Sequence, residues 1–174
     1  EVFVATEDQE IIDDVKKNGG QAILTKKNHK SGTDRIFEAI KKLDKLDTEL
    51  VINLQGDEPL INIDDIKSLH KHMIVTKSKF GTLASNISKK EIFDNQNIVK
   101  VITKTNLTYS IFPEAKIFTR SLSSDTNNAY HHIGVYCYQL ETLKKFVSLD
   151  QSVNEIKNKL EQLRALDNGI NINV

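Results

Sequence analysis

The most informative segment of the chain is Leu50-Val51-Ile52-Asn53-Leu54-Gln55-Gly56-Asp57-Glu58-Pro59. Its first half is a near-continuous apolar run, which is typical of a strand buried on both faces of a sheet. Gly56 permits a sharp exit, and Pro59 stops the strand. Asp57 and Glu58 follow at the carboxyl end, where open α/β sheets place their ligands. These carboxylates suit Mg²⁺ carrying phosphates, although the segment alone reads equally well as an acidic strand-to-helix turn.

Alternating strands and helices surround this segment. Short apolar runs predict strands at residues 2–5, 22–24, 50–54 and 82–84, and apolar residues at helical spacing predict helices at 10–17, 36–43 and 63–75. Residues 98–138 carry short β-like runs and a polar loop at 125–128. Two helices and a strand at 170–174 close the chain, and the second helix has its core positions at Ile156, Leu160, Leu163 and Leu166.

The pattern as a whole predicts an α/β fold. We expect a Rossmann-like, mostly parallel sheet with flanking helices. A length of 174 residues fits a single domain over residues 1–174, with a smaller β-rich excursion at about 98–138.

Composition excludes several classes of protein. Hydrophobic residues make up 39% and charged residues 28%, so the chain is neither disordered nor membrane-spanning. The 24 basic and 24 acidic side chains give no net charge, which disfavours binding to nucleic acid or to anionic membranes. The single cysteine, Cys137, excludes a disulfide framework and suits a reducing cytosol; its apolar neighbours indicate a core position rather than a nucleophile.

A second segment, His29-Lys30-Ser31-Gly32-Thr33-Asp34-Arg35, stands directly before a predicted helix. The spacing of Ser31 and Asp34 resembles a capping box. A Ser-Gly-Thr helix start also offers N–H groups and hydroxyls to an anion or a polar base. A plain N-cap is the other interpretation.

Two segments in the second half carry polar groups at regular spacing. In residues 131–138, strand alternation puts His132, Gly134, Tyr136 and Tyr138 on one face, which can hydrogen bond a polyhydroxylated ligand or simply be half-exposed. The adjacent histidines lack partners at zinc-ligand spacing. Residues 160–166 read Leu-Glu-Gln-Leu-Arg-Ala-Leu and predict an amphipathic helix, with an exposed pair between Glu161 and Arg164 as its simplest interpretation.

Four motifs together resemble one family. Gln-Gly-Asp-Glu-Pro, Ser-Gly-Thr-Asp-Arg, His-Ile-Gly-Val-Tyr-Cys-Tyr and Leu-Glu-Gln-Leu-Arg-Ala-Leu all occur in the 3-deoxy-manno-octulosonate (Kdo) cytidylyltransferases, also called CMP-Kdo synthetases. The resemblance runs over residues 2–174 and is weakest at 103–130. It implies an enzyme that converts CTP and Kdo to CMP-Kdo and pyrophosphate for lipopolysaccharide biosynthesis. It also implies a cytoplasmic homodimer that uses Mg²⁺ and binds neither nucleic acid nor membrane.

The resemblance also implies roles for single residues. Asp57 matches the aspartate that ligates Mg²⁺, and Asp57 and Arg120 are the expected catalytic residues. The nucleotide-binding positions are Ser31, Thr33 and Arg35. The sugar-binding positions are Gln55, Arg120, His132, Tyr136, Glu161 and Gln162. Arg120 suits this role because a guanidinium can bind a carboxylate through two parallel hydrogen bonds.

The chain departs from the family at both ends. The family's N-terminal phosphate-loop unit, with Pro-Ala-Arg and a later Gly-Lys, is not in the sequence, and neither is the C-terminal segment that carries a second metal-binding aspartate. We therefore expect an incomplete copy of the enzyme, whose own activity is open. The alternatives are a cytidylyltransferase for another acid sugar such as sialic acid, or a non-catalytic remnant that binds nucleotide, sugar or a partner.

Overall fold

A computed structural model describes residues 1–87, 95–108, 111–122 and 127–174. The chain divides into two compact units, Glu1–Glu49 and Leu50–Val174. The assignment of one nucleotidyltransferase domain stays a prediction. Of the predicted loop at 125–128, residues 125 and 126 lie outside the described residues, and 127–128 form a turn.

The first unit contains two strands and two helices in alternation: β1 (Val4–Thr6), α1 (Gln9–Lys17), β2 (Ala22–Leu24) and α2 (Gly32–Lys42). β1 and β2 pair in parallel, as a strand-helix-strand unit requires. Each helix begins at a polar cap, because the side chains of Asp8 and Ser31 accept hydrogen bonds from backbone N–H groups of the first turn. Gly19, at φ +80°, ends the turn after α1, as the predicted helix stop requires.

The second unit holds a sheet with helices around it. Its described residues form β3 (Leu50–Leu54), α3 (Ile63–Thr76), β4 (Phe80–Ser85), β5 (Lys100–Thr103), β6 (Ala115–Thr119), β7 (Ala129–Gln139), α4 (Leu140–Ser148), α5 (Val153–Asn158) and α6 (Leu163–Asp167). β7 is the central strand, because β3 and β4 pair with the same β7 residues and must therefore lie on its opposite edges. β5 pairs with the first residues of β7 and extends the sheet to β6.

Strand direction in this sheet differs from the expectation of a mostly parallel arrangement. The α/β class with flanking helices is confirmed, and β3, β4 and β5 share one direction. β6 and β7 run in the opposite direction, and each hydrogen-bonded pair joins one of them to β3, β4 or β5. Every pair among these five strands is therefore antiparallel. The described residues between β5 and β7 contain no helix, and antiparallel pairing, unlike parallel pairing, needs no helical crossover.

One face of β7 is apolar and packs beneath α3. Val135 and Cys137 lie in a buried cluster with Leu69 and Met73 of α3, with Ile133 packed against it. This arrangement confirms the predicted alternation along the strand. Burial raises the pKa of Cys137 to about 12, so its thiol stays protonated and belongs to the core, as predicted.

The C-terminal region departs from its prediction in two places. The expected second helix is two short helices, α5 and α6, separated by Lys159 in the left-handed region at φ 53°. Ile156, assigned to the core, is therefore 61% exposed, whereas Leu160 and Leu163 are buried. The expected strand at 170–174 forms only isolated bridges, through Asn173 to Gly81 and Glu114. No helix in the described part of the chain is long and apolar enough to cross a bilayer.

Candidate functional site

The other face of β7 carries a buried polar cluster. His132 and Tyr136 of β7 and Thr82 of β4 form its floor, and Gln162, at the start of α6, adds an amide to it. All four residues are less than 9% exposed. We call these residues the polar cluster. Strand alternation brings them together, because the apolar neighbours along β7 point toward α3 instead.

His132 is a buried ionisable group of the polar cluster. Its ring stands edge-on to Phe118 with centroids 5.0 Å apart, and 5.5 Å from the ring of Tyr136. Its Nε2 lies 3.0 Å from the hydroxyl oxygen of Thr82. Burial lowers the pKa of His132 to about 3, with a smaller contribution from His131, so the imidazole is neutral at physiological pH.

Tyr136 reaches toward the start of α6. Its hydroxyl donates to Oε1 of Gln162 at 3.4 Å, which joins β7 to α6. Burial raises the pKa of Tyr136 far above its usual value, and the nearby carboxylates of Glu161 and Asp57 raise it further. The phenol therefore stays protonated and acts as a neutral donor.

A buried ion pair holds this end of α6 in place. Nε and Nη2 of Arg164 donate to the two carboxylate oxygens of Glu155 at 2.9 and 2.6 Å, and the guanidinium lies 4.6 Å from the centroid of the Phe146 ring. Glu155 also completes a capping box with Ser152 at the start of α5. The interpretation of Arg164 as half of an exposed pair with Glu161 is wrong, because Arg164 is 1% exposed.

Asn53 in β3 and Gln55 just after β3 lie beside the polar cluster. Asn53 lies directly opposite Tyr136 and is 2% exposed, yet its amide nitrogen has no hydrogen-bond partner among the residues that the structure describes. Gln55 is half-buried and its side chain crosses Gly134, where an added Cβ would lie 3.5 Å from Oε1. That distance is an ordinary van der Waals contact, so the packing of Gln55 does not itself require glycine at this position.

The acidic turn after β3 presents Asp57 to solvent. The backbone N–H of Glu58 donates to the carbonyl of Gln55 at 3.1 Å, which closes the turn, and Asp57 is exposed. Gly56 has neither a left-handed φ nor a neighbour within 4 Å of an added Cβ, so the turn itself does not require glycine there. Within the described ranges, no group of three or more His, Cys, Asp or Glu side chains forms a ready metal site.

Arg120 lies at the end of β6 and is bound to backbone rather than to side chains. Its guanidinium donates to carbonyl oxygens on two segments, at 3.2–3.4 Å: Gln96, Asn97, Asn158 and Lys159. Its own carbonyl accepts from the buried ammonium of Lys100 at 3.0 Å. Arg120 thus joins the segment before β5 to the connection between α5 and α6. Its predicted contact with a sugar carboxylate stays a prediction.

The predicted nucleotide-binding residues belong to the first unit. The Ser31 hydroxyl caps α2 and donates to Asp34 at 2.7 Å. Thr33 is fully buried. Arg35 donates to Thr25 and Glu7, so it ties α2 to the ends of β1 and β2. The N-cap interpretation of this segment is correct, and its role in nucleotide binding stays a prediction.

Comparison with known proteins places this geometry in a family. The family model described as "Cytidylyltransferase" matches residues 1–172. The chain belongs to this cytidylyltransferase family. Among curated relatives, the 3-deoxy-manno-octulosonate cytidylyltransferase of Thermodesulfovibrio yellowstonii is 45% identical over 185 residues, covering 100% of this chain and 72% of the relative. The enzyme of the same name from Rhodopseudomonas palustris is 42% identical, covering 99% of this chain and 71% of the relative.

A solved structure supports the same assignment. It is CMP:2-keto-3-deoxy-manno-octonic acid synthetase complexed with CTP, which is 35% identical to this chain and superposes with a TM-score of 0.85. The match covers 99% of this chain and 70% of that one. The resemblance read from the four sequence motifs is therefore confirmed.

Of the residues expected to bind sugar, the structure brings His132, Tyr136 and Gln162 together. Glu161 directly precedes Gln162, and Gln55 borders the polar cluster. Sequence reasoning missed two members of this face, Thr82 and Asn53. A signal for Asn53 was present, because an amide inside the apolar run 50–54 has to find a partner or a ligand.

Proposed function

We propose that the chain transfers the cytidylyl group of CTP to Kdo, giving CMP-Kdo and pyrophosphate for lipopolysaccharide biosynthesis. The observation that carries the proposal is the polar cluster, which sets a neutral histidine, a protonated tyrosine and an amide side by side in a member of this family. Uncharged donors and acceptors of this kind suit the hydroxyl groups of a sugar acid.

The proposed reaction is a displacement at phosphorus. A bond forms between the anomeric oxygen of Kdo and the α-phosphorus of CTP, while the bond from that phosphorus to the oxygen of the β-phosphate breaks. Pyrophosphate leaves, and the hydroxyl proton passes to solvent. Positioning and charge stabilisation carry such a step, so the polar cluster contributes by orienting the sugar hydroxyl groups.

Mg²⁺ is the cofactor that this proposal includes. The exposed carboxylate of Asp57 suits it, because Mg²⁺ in phosphoryl-transfer enzymes is commonly held by one or two carboxylates together with substrate phosphates. Bound there, the ion would neutralise charge on the phosphates. Asp57 is then the metal-binding and catalytic carboxylate, with Glu58 as its neighbour in the turn.

Arg120 is proposed to bind the sugar carboxylate, at the expense of its present contacts. Its guanidinium donates to four backbone carbonyls over long distances. A carboxylate forms shorter and roughly twice as strong bonds with guanidinium, so it can replace some of these carbonyls. Sugar binding would then alter the link between the segment before β5 and the α5–α6 connection.

The proposal extends to assembly and location. We propose a homodimer in the cytoplasm, with the contact in the β-rich part of the second unit. β6 pairs only with β5 among the described strands and exposes 46% of Ile117. The buried, protonated thiol of Cys137 suits a reducing compartment. Light scattering on the purified chain measures the mass directly, and a monomer at micromolar concentration would contradict the dimer.

The central experiment is a pyrophosphate-release assay with CTP and Mg²⁺, comparing Kdo with sialic acid. Turnover with Kdo and not with sialic acid is the expected result, and preference for sialic acid would support the alternative acid sugar. CTP binding without any turnover would instead support a non-catalytic remnant. Asp57→Asn should abolish turnover without changing the melting temperature, because Asp57 is exposed. Glu58→Gln is the matched control in the same turn and should retain most of the activity.

A further inference from the structure

Thr82 occupies a position at which one hydroxyl lies within hydrogen-bond distance of two carbonyl oxygens and one ring nitrogen. It is fully buried in β4, directly opposite Tyr136. Its Oγ1 lies 2.7 Å from the carbonyl oxygen of Val135, 3.3 Å from that of Ile133 and 3.0 Å from Nε2 of His132. No role for this residue follows from its sequence context, which reads as an ordinary buried strand.

A β-bulge creates this arrangement. The register of β4 on β7 passes from the pair Thr82–Tyr136 to the pair Leu83–Ile133, so Gly134 and Val135 have no opposite residue on β4. A bulge disrupts the regular ladder locally and redirects side chains. Here the Thr82 hydroxyl hydrogen bonds to a backbone carbonyl of the bulged strand, and the same oxygen faces the imidazole of His132.

The hydrogen atoms available to these groups determine which nitrogen of His132 is protonated. A threonine hydroxyl carries one hydrogen, and a backbone carbonyl carries none to donate. The hydrogen of Thr82 therefore goes to a carbonyl, with Val135 the shorter contact. For the contact with His132 to be a hydrogen bond, Nε2 has to be the donor. A neutral imidazole has one N–H, so Nδ1 keeps a lone pair, and no described residue hydrogen bonds to it.

We propose that Thr82 is a positioning residue that holds His132 as the Nε2–H tautomer, so that Nδ1 accepts a hydrogen bond from a hydroxyl group of the sugar substrate. This inference rests on the proposed function for the identity of the ligand. The tautomer itself depends only on the contacts of Thr82. In this role the histidine recognises a hydroxyl and not an anion, because a bare Nδ1 has no proton to give.

The tautomer can be read in the unsubstituted chain by ¹⁵N-histidine NMR, with the signal of His132 assigned by its loss in His132→Gln. The expected spectrum has a protonated Nε2 and an unprotonated Nδ1. An Nδ1–H tautomer, or a charged ring at pH 7, would overturn the proposal. Because this reading needs neither turnover nor a variant of Thr82, it tests the proposal even if Thr82→Val does not fold.

Variants of Thr82 then distinguish a role in positioning His132 from a role in packing alone. Thr82→Val keeps the shape and removes the hydroxyl, so the tautomer should become mixed and the KM for Kdo should rise about tenfold, the effect of one lost hydrogen bond, with a smaller change in kcat. Thr82→Ser should restore both. An unchanged tautomer in Thr82→Val, with only lower stability, would overturn the proposal in favour of a structural role. An Nε2–H tautomer in a chain that never uses Kdo would instead refute the proposed function alone.

Discussion

The two faces of β7 differ in what holds them together. On the face beneath α3, Val135 and Cys137 pack in a buried apolar cluster with Leu69 and Met73. On the opposite face, His132 and Tyr136 lie equally deep but depend on hydrogen bonds to Thr82 and Gln162. An apolar face is stabilised by burial alone, whereas a buried polar face is stable only where its groups find partners. This difference supports the proposal that the polar face binds the substrate, because apolar residues at these positions could stabilise the fold without hydrogen-bond partners.

The largest effect should come from the ion pair that supports the polar face. Arg164→Ala leaves the carboxylate of Glu155 buried without its guanidinium partner, and breaking a buried pair in this way costs about 3–5 kcal/mol of unfolding free energy. Urea unfolding measures the loss. The control is Lys67→Ala, which removes a surface pair with Asp64 and should cost less than about 1 kcal/mol.

A double variant sharpens this prediction. If the cost arises from an uncompensated charge, Glu155→Leu combined with Arg164→Met should recover much of the stability that Arg164→Ala loses. A double variant as unstable as Arg164→Ala would mean that packing, including the contact with Phe146, accounts for the effect.

Acid should lower the free energy of unfolding through a residue of the polar face, His132. The pKa of His132 is about 3 in the folded chain against 6.5 ordinarily, so between these values the unfolded chain takes up a proton that the folded chain does not. Stability should therefore fall as the pH drops below 6.5, with a slope that approaches about 1.4 kcal/mol per pH unit. Burial also lowers the pKa of His131, which adds in the same direction.

Urea unfolding at pH 6.5, 5.5 and 4.5 measures this slope. Glu38 and Glu155, whose pKa values in the folded chain lie below the ordinary 4.5, begin to lose their stabilising contribution near pH 5, so the interval from pH 6.5 to 5.5 is largely free of their effect. His132→Asn removes the titrating ring and should reduce the slope. An identical slope in this variant would show that His132 is protonated in the folded chain.

An added methyl group at Gly81 tests how tightly the apolar face is packed, and its expected effect on stability is smaller. A Cβ added at Gly81 would lie 2.7 Å from both Sδ of Met73 and Cζ of Phe112, so Gly81→Ala should cost about 1–3 kcal/mol. Gly56→Ala is the matched control, because nothing lies within 4 Å of its added Cβ. Equal melting temperatures for the two variants would mean that the core beneath α3 is looser than these contacts indicate.

Sequence patterns predicted the faces of β7 well and the end of the chain poorly, for physical reasons. Alternation has a period of two residues whatever the partner strand, so the separation of His132 and Tyr136 from Val135 and Cys137 could be read directly. Strand direction has no such local signal, and the antiparallel pairs around β7 were missed.

The break between α5 and α6 had no signal that a pattern could use. Lys159 adopts the left-handed conformation that glycine usually supplies, while Ile156 keeps a helical spacing to Leu160 that is coincidental. Glu155, which accepts two hydrogen bonds from Arg164, lies nine residues away on another helix, and helical spacing carries no signal for a contact of that kind. Within the polar cluster, His132, Tyr136 and Gln162 lie inside recognisable motifs, whereas Thr82 does not, because its contacts come from a bulge.

The smallest expected change in stability is also the one that separates fold from function most directly. Asn53 holds a buried amide nitrogen without a partner among the described residues, in a strand whose other residues are apolar. An unsatisfied buried donor costs about 1–3 kcal/mol, so Asn53→Leu should raise the unfolding free energy by about 1 kcal/mol once the changed shape is accommodated. Thr82→Val is the contrasting control, since it removes a hydroxyl whose partners are present and should lower stability.

The activity of Asn53→Leu should fall although its stability rises. If the amide of Asn53 is kept for a substrate acceptor, Asn53→Leu raises the urea midpoint while it lowers turnover of CTP and Kdo, the trade expected of a site that is strained without its ligand. A destabilised Asn53→Leu would mean that the amide makes a hydrogen bond in the folded chain. A stabilised and fully active variant would remove Asn53 from the site, and the polar face would then need no ligand to explain it.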